Sequence, residues 1–567
     1  MNAGSTIESV TRWGPKPAWL WTLTTTALLC LGSLASGQQA NWAPIPAEEM
    51  AFKDDPVAPG AVAVILFREQ ISDDKKGMAT EHIRIKVLKD AGKKYADIEI
   101  PSAKWMKIES IEARTIRPDG SIVPFTGTVH DKTVAKTRKT EISVKAFTLP
   151  DIEAGSILEF RYKARLEKER TPSHSWEIQS ELFTRKAHFE LRPISFDNLS
   201  EIGLNFDQKP QRNGDTISLD VANVPAIEDE TFTLPQSELE SRIEITYRPP
   251  DYPTPETYWG RIGQAEGEYL NTFIGKDKQI KKLVVSLAPP SDPPETRLRL
   301  CYARAQQIRK LKSGFYDSSE GKQEKLKENK HVNDVVERGY GDIGDVTAVF
   351  VAMAREVGYQ SGMAFLTDRK RGLFHPDLLS TNQLTATMAW VEKDGKFTLL
   401  DPACEKCPFG LISWDQSGAS GIRTNYSGSV FVKVPANKPE DATYARKGDL
   451  KLEADGTLSG NLEVTIGGLE ALELRDKEDK ADEASRRKAI IDLVKSWLPG
   501  SAEVKLEQVS NWDDIDKPIV ADASIDVPGF ATVTGKWLIL SAWPFESKSQ
   551  NPFPHARRKY AIVFENP

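Results

Sequence analysis

The chain has 567 residues, with 75 lysines and arginines against 82 aspartates and glutamates, which gives a net charge of −7. Hydrophobic residues make up 39% and charged residues 28% of it, as is usual for a soluble globular protein. The length predicts several domains rather than one, and the lack of a block of either charge sign excludes a nucleic-acid partner.

The first residues have the order of charge and hydrophobicity that is typical of an export signal. Arg12 and Lys16 precede an apolar run at residues 19–34, and small residues follow at Ala35 and Gly37. This order predicts a signal peptide at residues 1–37 and an exported protein, periplasmic or secreted. An uncleaved anchor is the alternative, because the apolar run is long. Beyond it we expect no transmembrane segment, since no later run reaches about 18 apolar residues.

Residues 45–250 are rich in predicted strands. Runs at residues 61–67, 82–87 and 157–164 are apolar or alternating over the length of a strand. Pro118-Asp-Gly120 lies between two further strand patterns and predicts a hairpin turn. The density of strands predicts an antiparallel β-sandwich domain over this range.

Residues 256–425 mix helical and strand patterns. After a proline-rich break, helices are predicted at residues 256–287 and 296–311, and a third begins at Asp345, the expected N-cap, and ends at Gly358. The apolar stripe of this third helix consists of Val346, Val349, Phe350 and Met353. Strands are predicted at residues 361–366, 385–391 and 396–400. One helix against a short antiparallel sheet predicts an α+β domain.

Three sequence motifs lie around this third helix. Gly339-Tyr-Gly-Asp-Ile-Gly-Asp345 opens the helix, Met388-Ala-Trp-Val lies in a strand, and Leu-Leu-Asp401-Pro ends the next strand. This pattern resembles the core of the bacterial transglutaminase-like superfamily, and the Pro408-Phe-Gly segment that leads to Trp414 resembles it too. The resemblance implies a papain/transglutaminase-like α+β core, preceded in many members by a domain of unknown function that residues 45–250 resemble in pattern.

In that superfamily the three motifs carry a Cys-His-Asp triad, but here Ile343 occupies the cysteine position and Met388 the histidine position. Only Asp401 matches the family. A thiolate attacks the substrate and an imidazole transfers its proton, whereas isoleucine and methionine can do neither. Asp401 alone would only orient a base. The sequence therefore predicts a degenerate triad, with no catalytic residue and no acyl transfer.

A misaligned triad is the alternative. His331 precedes Ile343 by 12 residues and His375 precedes Met388 by 13, so both lie outside the motif positions. The carboxylates of Asp342 and Asp345 could in principle do acid–base chemistry, but a turn residue and a helix cap are the simpler interpretation.

The glycines at 339, 341 and 344 also fit the G-x-G-x-x-G pattern of dinucleotide-binding proteins. The strand that should precede the first glycine is missing, because residues 328–339 are polar and helix-like. No cofactor is therefore predicted.

Three cysteines remain beyond Cys30 of the signal: Cys301, Cys404 and Cys407. Cys404 and Cys407 form a lone C-x-x-C flanked by prolines, which favours a structural disulfide in an oxidising compartment. Free thiols and metal or redox chemistry are the alternatives. A zinc site needs about four ligands, and these three cysteines have no histidine motif nearby, so no metal is predicted. Cys301 is expected alone and buried in a helix.

Residues 430–567 are predicted to form a C-terminal β-rich domain with one packed helix. A hairpin is expected at residues 450–466, the helix at 471–498, and strands at 504–508, 519–527 and 531–539. The chain as a whole is thus a multidomain α+β protein.

The preferred function is that of a non-catalytic cell-envelope pseudoenzyme that binds a peptide, a glycan peptide or an envelope protein partner. The ligand class follows from the family resemblance, with a binding groove expected over Ile343 and Met388. One alternative is a thiol-dependent peptide-modifying enzyme that uses Cys404 or Cys407. Another is a purely structural envelope protein.

Overall fold

A computed structural model describes residues 42–564 apart from residues 104, 137–140, 168–171, 249–250, 253, 276–277, 312–325, 425–429, 542–544, 546–550, 552 and 555. The predicted signal peptide, with Cys30, lies outside the described residues. No helix among the residues described is both long and apolar enough to span a membrane.

The N-terminal domain is built almost entirely from strands. In chain order its elements are α1 (Ala47–Ala51), β1 (Ala63–Asp73), β2 (Met78–Val87), β3 (Asp97–Ala103), β4 (Met106–Ile116), β5 (Ile122–Pro124), β6 (His130–Lys136), β7 (Glu141–Thr148), β8 (Ile157–Leu166), β9 (Ser173–Glu177), β10 (Thr184–Arg192), β11 (Leu199–Leu204), β12 (Gln211–Asn213), β13 (Thr216–Val224), α2 (Gln236–Leu239) and β14 (Arg242–Tyr247).

These strands form one large sheet and one small one. The large sheet has the order β12-β13-β10-β1-β2-β8-β4-β3-β7-β6, with β5 paired to β4, and curls into a half-barrel. The small sheet, β11-β14-β9, packs against β10 and β13, with Trp176 and Phe189 stacked between the layers. A two-layer arrangement therefore exists at this end of the domain, rather than a sandwich throughout.

Two details of this domain bear on the predictions. The hairpin turn at residues 118–120 is confirmed: β4 pairs with β5, and Gly120 has a φ of +86°. The expectation of purely antiparallel pairing is wrong, because β1 runs parallel to β10 while antiparallel to β2. Parallel neighbours need a long crossover, and here the crossover is most of the domain.

The middle domain places helices against one face of an antiparallel sheet. Its elements are α3 (Pro255–Ile274), α4 (Lys278–Leu287), α5 (Pro294–Gln306), β15 (Arg309–Lys310), α6 (Val332–Arg338), β16 (Tyr340–Gly341), α7 (Ile343–Val357), β17 (Gln360–Leu366), β18 (Ala386–Lys393), β19 (Lys396–Leu400), β20 (Ser420–Arg423) and β21 (Phe431–Lys433). The sheet order is β19-β18-β17-β20-β21. The predicted single helix at 256–287 is two helices, because Gly275 ends α3 with a φ of +64°.

Helix α7 is the centre of this domain. Val346, Val349, Phe350 and Met353 are all buried as predicted, and so are their neighbours Ala348, Val351, Ala352 and Ala354. The helix ends at Gly358 as expected, but Asp342, not Asp345, is its N-cap. A helix that is apolar on most sides is a core element, and α4, α5 and α6 pack around α7.

The C-terminal domain has a four-stranded sheet in the order β22-β23-β25-β24. Its elements are β22 (Ala442–Leu452), β23 (Leu458–Gly467), α8 (Gly468–Lys477), α9 (Glu483–Lys495), β24 (Glu503–Ser510), β25 (Ile519–Val527), β26 (Thr532–Thr534) and β27 (Trp537–Ile539). The predicted single packed helix is wrong. Asp482 caps a new helix by accepting a hydrogen bond from Ser485 N at 2.8 Å.

The C-terminal tail returns to the N-terminal domain. Glu230, almost fully buried, accepts hydrogen bonds from the backbone N–H groups of Lys559 and Tyr560 and forms a salt bridge with Arg558. Val563 N donates to the carbonyl of Phe232 at 2.8 Å. The last described residues of the chain therefore contact the N-terminal domain.

Candidate functional site

The turn before α7 is fixed by two reciprocal hydrogen bonds. Asp342 Oδ1 accepts from Asp345 N at 2.8 Å, and Asp345 Oδ2 accepts from Asp342 N at 3.3 Å. Asn329 Nδ2 donates to the same Asp345 oxygen at 2.8 Å. Burial, aided by the charge of Asp342, raises the pKa of Asp345 to about 7. Both carboxylates are thus engaged in capping the helix.

Packing and backbone conformation explain the glycines at 341 and 339 without a bound nucleotide. A Cβ on Gly341 would lie 2.6 Å from Asp345 Cβ, and Gly339 ends α6 with a φ of +70°. The element before Gly339 is helix α6, not the strand that dinucleotide-binding folds require.

Ile343 and Met388 belong to different apolar clusters. Ile343, at the start of α7, is half-buried against the cluster beneath that helix. Met388 lies opposite Ala364 in the sheet and packs with Trp390 in the cluster on the other face. Because side chains alternate along a strand, Ala389 is the neighbour of Met388 that faces α7.

Met388 is completely buried, with 0% exposure. The groove expected over Ile343 and Met388 is therefore closed at Met388. The equivalence of these two positions with a nucleophile and a base stays a prediction from the sequence.

Asp401 follows β19 and anchors the chain that comes after it. Its Oδ1 accepts from the N–H groups of Ala403 and Cys404, both at 3.1 Å, and its Oδ2 accepts from Gln416 Nε2 at 3.3 Å. Burial raises the pKa of Asp401 to about 6, against the lowering effect of Lys310 and these backbone donors. Asp401 thus stabilises the backbone that directly follows it.

The histidines of the alternative triad lie elsewhere. His375 Nε2 is 2.9 Å from Glu238 Oε2 in α2 of the N-terminal domain, and Leu373 N donates to the other oxygen of Glu238. His331 precedes α6 as its N-cap residue, without a side-chain capping bond. His375 thus contributes to a contact between two domains.

Cys404 and Cys407 form a disulfide, with their sulfur atoms 2.03 Å apart. Cys407 is fully buried against Leu469 and Leu472 of α8, so the bridge lies at the joint between the middle and C-terminal domains rather than in an open loop. Gln306 Nε2 donates to the carbonyls of Cys404 and Cys407, each at 2.7 Å.

Cys301 is free and buried in α5, as predicted. Burial raises the pKa of its thiol to about 11.

A cleft that the sequence did not reveal lies beside this joint. It has a volume of about 760 Å³ and opens between α5, the disulfide loop and the loop at residues 511–517. Its lining includes Arg299, Tyr302, Gln306, Phe409, Trp512 and Asp516. No motif marks these residues, because they come from segments as much as 217 residues apart (516 − 299).

Arg475 of α8 holds the 511–517 loop in shape. Its guanidinium is buried and donates to the carbonyl oxygens of Asn511, Trp512, Asp514 and Lys517 at 2.8–2.9 Å. A guanidinium surrounded by carbonyl groups gives this wall of the cleft a defined form.

Comparison with known proteins gives a family for one segment. Residues 73–228, within the N-terminal domain, match the model of DUF3857, a domain of unknown function with solved structures. No curated protein matches the chain.

The solved structures that align with this chain share little sequence identity with it. A crystal structure of a "putative protease" from Parabacteroides distasonis is similar over 82% of this chain and 93% of its own, at 10% identity and a TM-score of 0.44. An M1 zinc metallopeptidase from Deinococcus radiodurans aligns over 57% of this chain and 91% of its own, at 7% identity and a TM-score of 0.16. Neither score reaches the level of a shared fold, so the family assignment is limited to the DUF3857 segment.

Proposed function

We propose that this protein is an exported, non-catalytic protein with a transglutaminase-like core, and that it binds a peptide, a glycan peptide or a protein partner in the cell envelope. The proposal combines the family resemblance of the three motifs with the chemistry of the residues in them. Ile343 and Met388 supply neither a nucleophile nor a base.

The observation that carries the proposal is the state of the cysteines. Both sulfurs of the C-x-x-C pair are bonded to each other, and Cys301 is buried with a raised thiol pKa. Among the described residues, therefore, two cysteine sulfurs are bonded to each other and burial keeps the third as a thiol rather than a thiolate.

The same observation weighs against the thiol-enzyme alternative, which needs Cys404 or Cys407 reduced. A disulfide at this joint also fits an oxidising compartment, and export is proposed on that ground together with the N-terminal sequence.

The purely structural alternative is favoured by the burial of Met388, which closes the surface over that position. The cleft beside the disulfide favours binding instead, because ligand sites often have volumes of roughly 300–1,000 Å³ and lie between domains. We therefore locate the proposed binding function at that cleft.

The test uses the mature protein, incubated with a fluorescent primary amine, glutamine-containing peptides and iodoacetamide. We expect no amine incorporation and no amide hydrolysis, and one thiol that reacts only after denaturation. Cys301→Ala should remove that thiol. Activity that disappears in Cys404→Ala or Cys407→Ala would reject the proposal in favour of a thiol enzyme.

A further inference from the structure

The cleft has opposing walls from two domains. Helix α5 and the disulfide loop form one wall, and the 511–517 loop forms the other. Tyr302 lies at the cleft, almost fully buried, and its hydroxyl donates to the carbonyl of Asp401 at 2.8 Å. Tyr302 and Asp516 of the second wall line the same cleft.

The positive charges that line the cleft are already engaged. Arg475 is surrounded by loop carbonyls, and Lys406 Nζ pairs with Asp479 at 2.8 Å. Arg299 pairs with Glu295 at 3.0 Å and lies over the ring of Phe409, 4.3 Å from its centroid.

Two negatively charged side chains, one on each wall, differ from these because they form no salt bridge. Glu405 on the disulfide loop and Asp516 on the opposite loop are exposed, and neither forms a salt bridge within the described part of the chain. Asp513 pairs with Arg486 at 3.2 Å, so it is engaged outside the cleft. The charged groups that line the cleft without a salt bridge in the described part of the chain are therefore two exposed carboxylates, one on each wall, and the buried guanidinium of Arg475.

We propose that the cleft binds a lysine-bearing peptide in extended form, whose ammonium group lies between the carboxylates of Glu405 and Asp516. A compact ammonium with three donors suits two carboxylates on opposite walls better than a planar guanidinium, which prefers one carboxylate held by two parallel bonds. This inference rests on the proposed binding function and names its ligand and its site.

The joint between the domains sets the width of this site. The disulfide loop that carries Glu405 packs on α8, and α8 carries the Arg475 that shapes the loop of Asp516. Both carboxylates are thus positioned from one helix. Peptide binding should therefore weaken when the disulfide is reduced.

The experiment measures fluorescence anisotropy of a labelled Gly-Lys-Gly-Lys-Gly pentapeptide with the whole mature protein, and compares it with the same peptide acetylated on both lysines. We expect saturable binding that is at least about tenfold weaker for the acetylated peptide. The double variant Glu405→Gln/Asp516→Asn should also weaken binding about tenfold. A benzophenone-bearing version of the peptide should crosslink to α5 or to residues 511–517.

The matched control is Asp449→Asn/Asp522→Asn, which removes two negative charges from a separate pocket on the sheet of the C-terminal domain, lined by none of the residues of the cleft. We expect it to bind as the unmodified protein does. Equal loss in both double variants, or equal binding of the acetylated peptide, would overturn the inference. Each single substitution, Glu405→Gln and Asp516→Asn, serves as a second test if the double variant does not fold.

The two proposals fail in different ways. If the protein binds other peptides or an envelope partner but does not bind the lysyl pentapeptide, only the cleft inference is wrong. If it incorporates amines or hydrolyses amides through a cysteine, the non-catalytic function is wrong whatever the peptide does.

Discussion

Arg475 Nε donates to the carbonyl oxygen of Trp512 at 2.8 Å, and through this bond helix α8 positions the loop on the far side of the cleft. The residues are 37 apart in the chain. The same guanidinium donates to four further carbonyl groups of the loop, those of Asn511, Asp514, Ile515 and Lys517.

Replacing this arginine should destabilise the C-terminal domain. Arg475→Met leaves several carbonyls without a donor, and a hydrogen bond to a charged group contributes about 1.5–3 kcal/mol, so we expect a loss of about 2–4 kcal/mol in unfolding free energy. Urea denaturation followed by tryptophan fluorescence measures it. Lys488→Met, which removes only an exposed pair with Asp492, is the control and should change stability by less than about 0.5 kcal/mol. Similar losses in both variants would contradict the role of Arg475.

The capping box before α7 predicts a pH dependence. Asp345 has a folded-state pKa of about 7, above its ordinary value of 3.8. The folded state therefore binds the extra proton between these values, and stability should fall as pH rises from about 4 to 7, then level off. The variant Asp345→Asn cannot titrate there. The stability difference between the two proteins, measured by urea unfolding from pH 4 to 8, should shift in favour of Asp345→Asn as pH rises. Parallel curves would show that this carboxyl does not titrate with a raised pKa.

Gly341 should not tolerate a side chain. The Cβ of Gly341→Ala would meet Asp345 Cβ at 2.6 Å and Val335 Cγ1 at 3.1 Å, so the capping turn must shift. We expect a loss of about 1–3 kcal/mol, measured by thermal or urea unfolding. Gly260→Ala, inside α3 with open space around the new methyl group, is the control and should be neutral or stabilising by about 0.5–1 kcal/mol. A stable Gly341→Ala protein would mean that the turn has room to relax.

The disulfide should contribute modestly to the free energy of unfolding. It should matter more for the coupling between the unfolding of the middle domain and that of the C-terminal domain. The bridge closes a short loop, so removing it by Cys404→Ala/Cys407→Ala should cost about 2 kcal/mol. We also expect the middle and C-terminal domains to unfold in separate transitions, because Cys407 packs on α8. Differential scanning calorimetry with and without reductant tests this. One unchanged transition under both conditions would show that the apolar contacts alone couple the domains.

Local chemistry made several elements predictable. The 118–120 turn is specified by Pro-Asp-Gly, the buried stripe of α7 by its period, and the disulfide by the spacing and flanking prolines of its cysteines. The cap of α7 was misplaced because Asp342 and Asp345 both suit an N-cap and lie one helical turn apart. Two pairs of helices, α3 with α4 and α8 with α9, were each predicted as one helix for a similar reason. A lone Gly275 or Asp482 is a weak interruption in a helical pattern.

The candidate site was less predictable, for a physical reason. Which face of the sheet Met388 occupies depends on strand register, and a shift of one residue would reverse it. The parallel pairing of β1 with β10 and the packing of Cys407 on Leu469 join residues far apart in the chain. Such contacts depend on how whole domains come together, which no local pattern records.

The return of the tail to Glu230 makes the molecule a closed ring of domains rather than a string. A protease that cuts once in the connection after Arg248 would sever the polypeptide there, yet the N-terminal domain would still be held through the segment around Arg558. Such a nicked protein would migrate as one particle under native conditions and as two fragments in detergent. The contact of His375 with Glu238 would also hold the N-terminal domain to the middle domain after that cut.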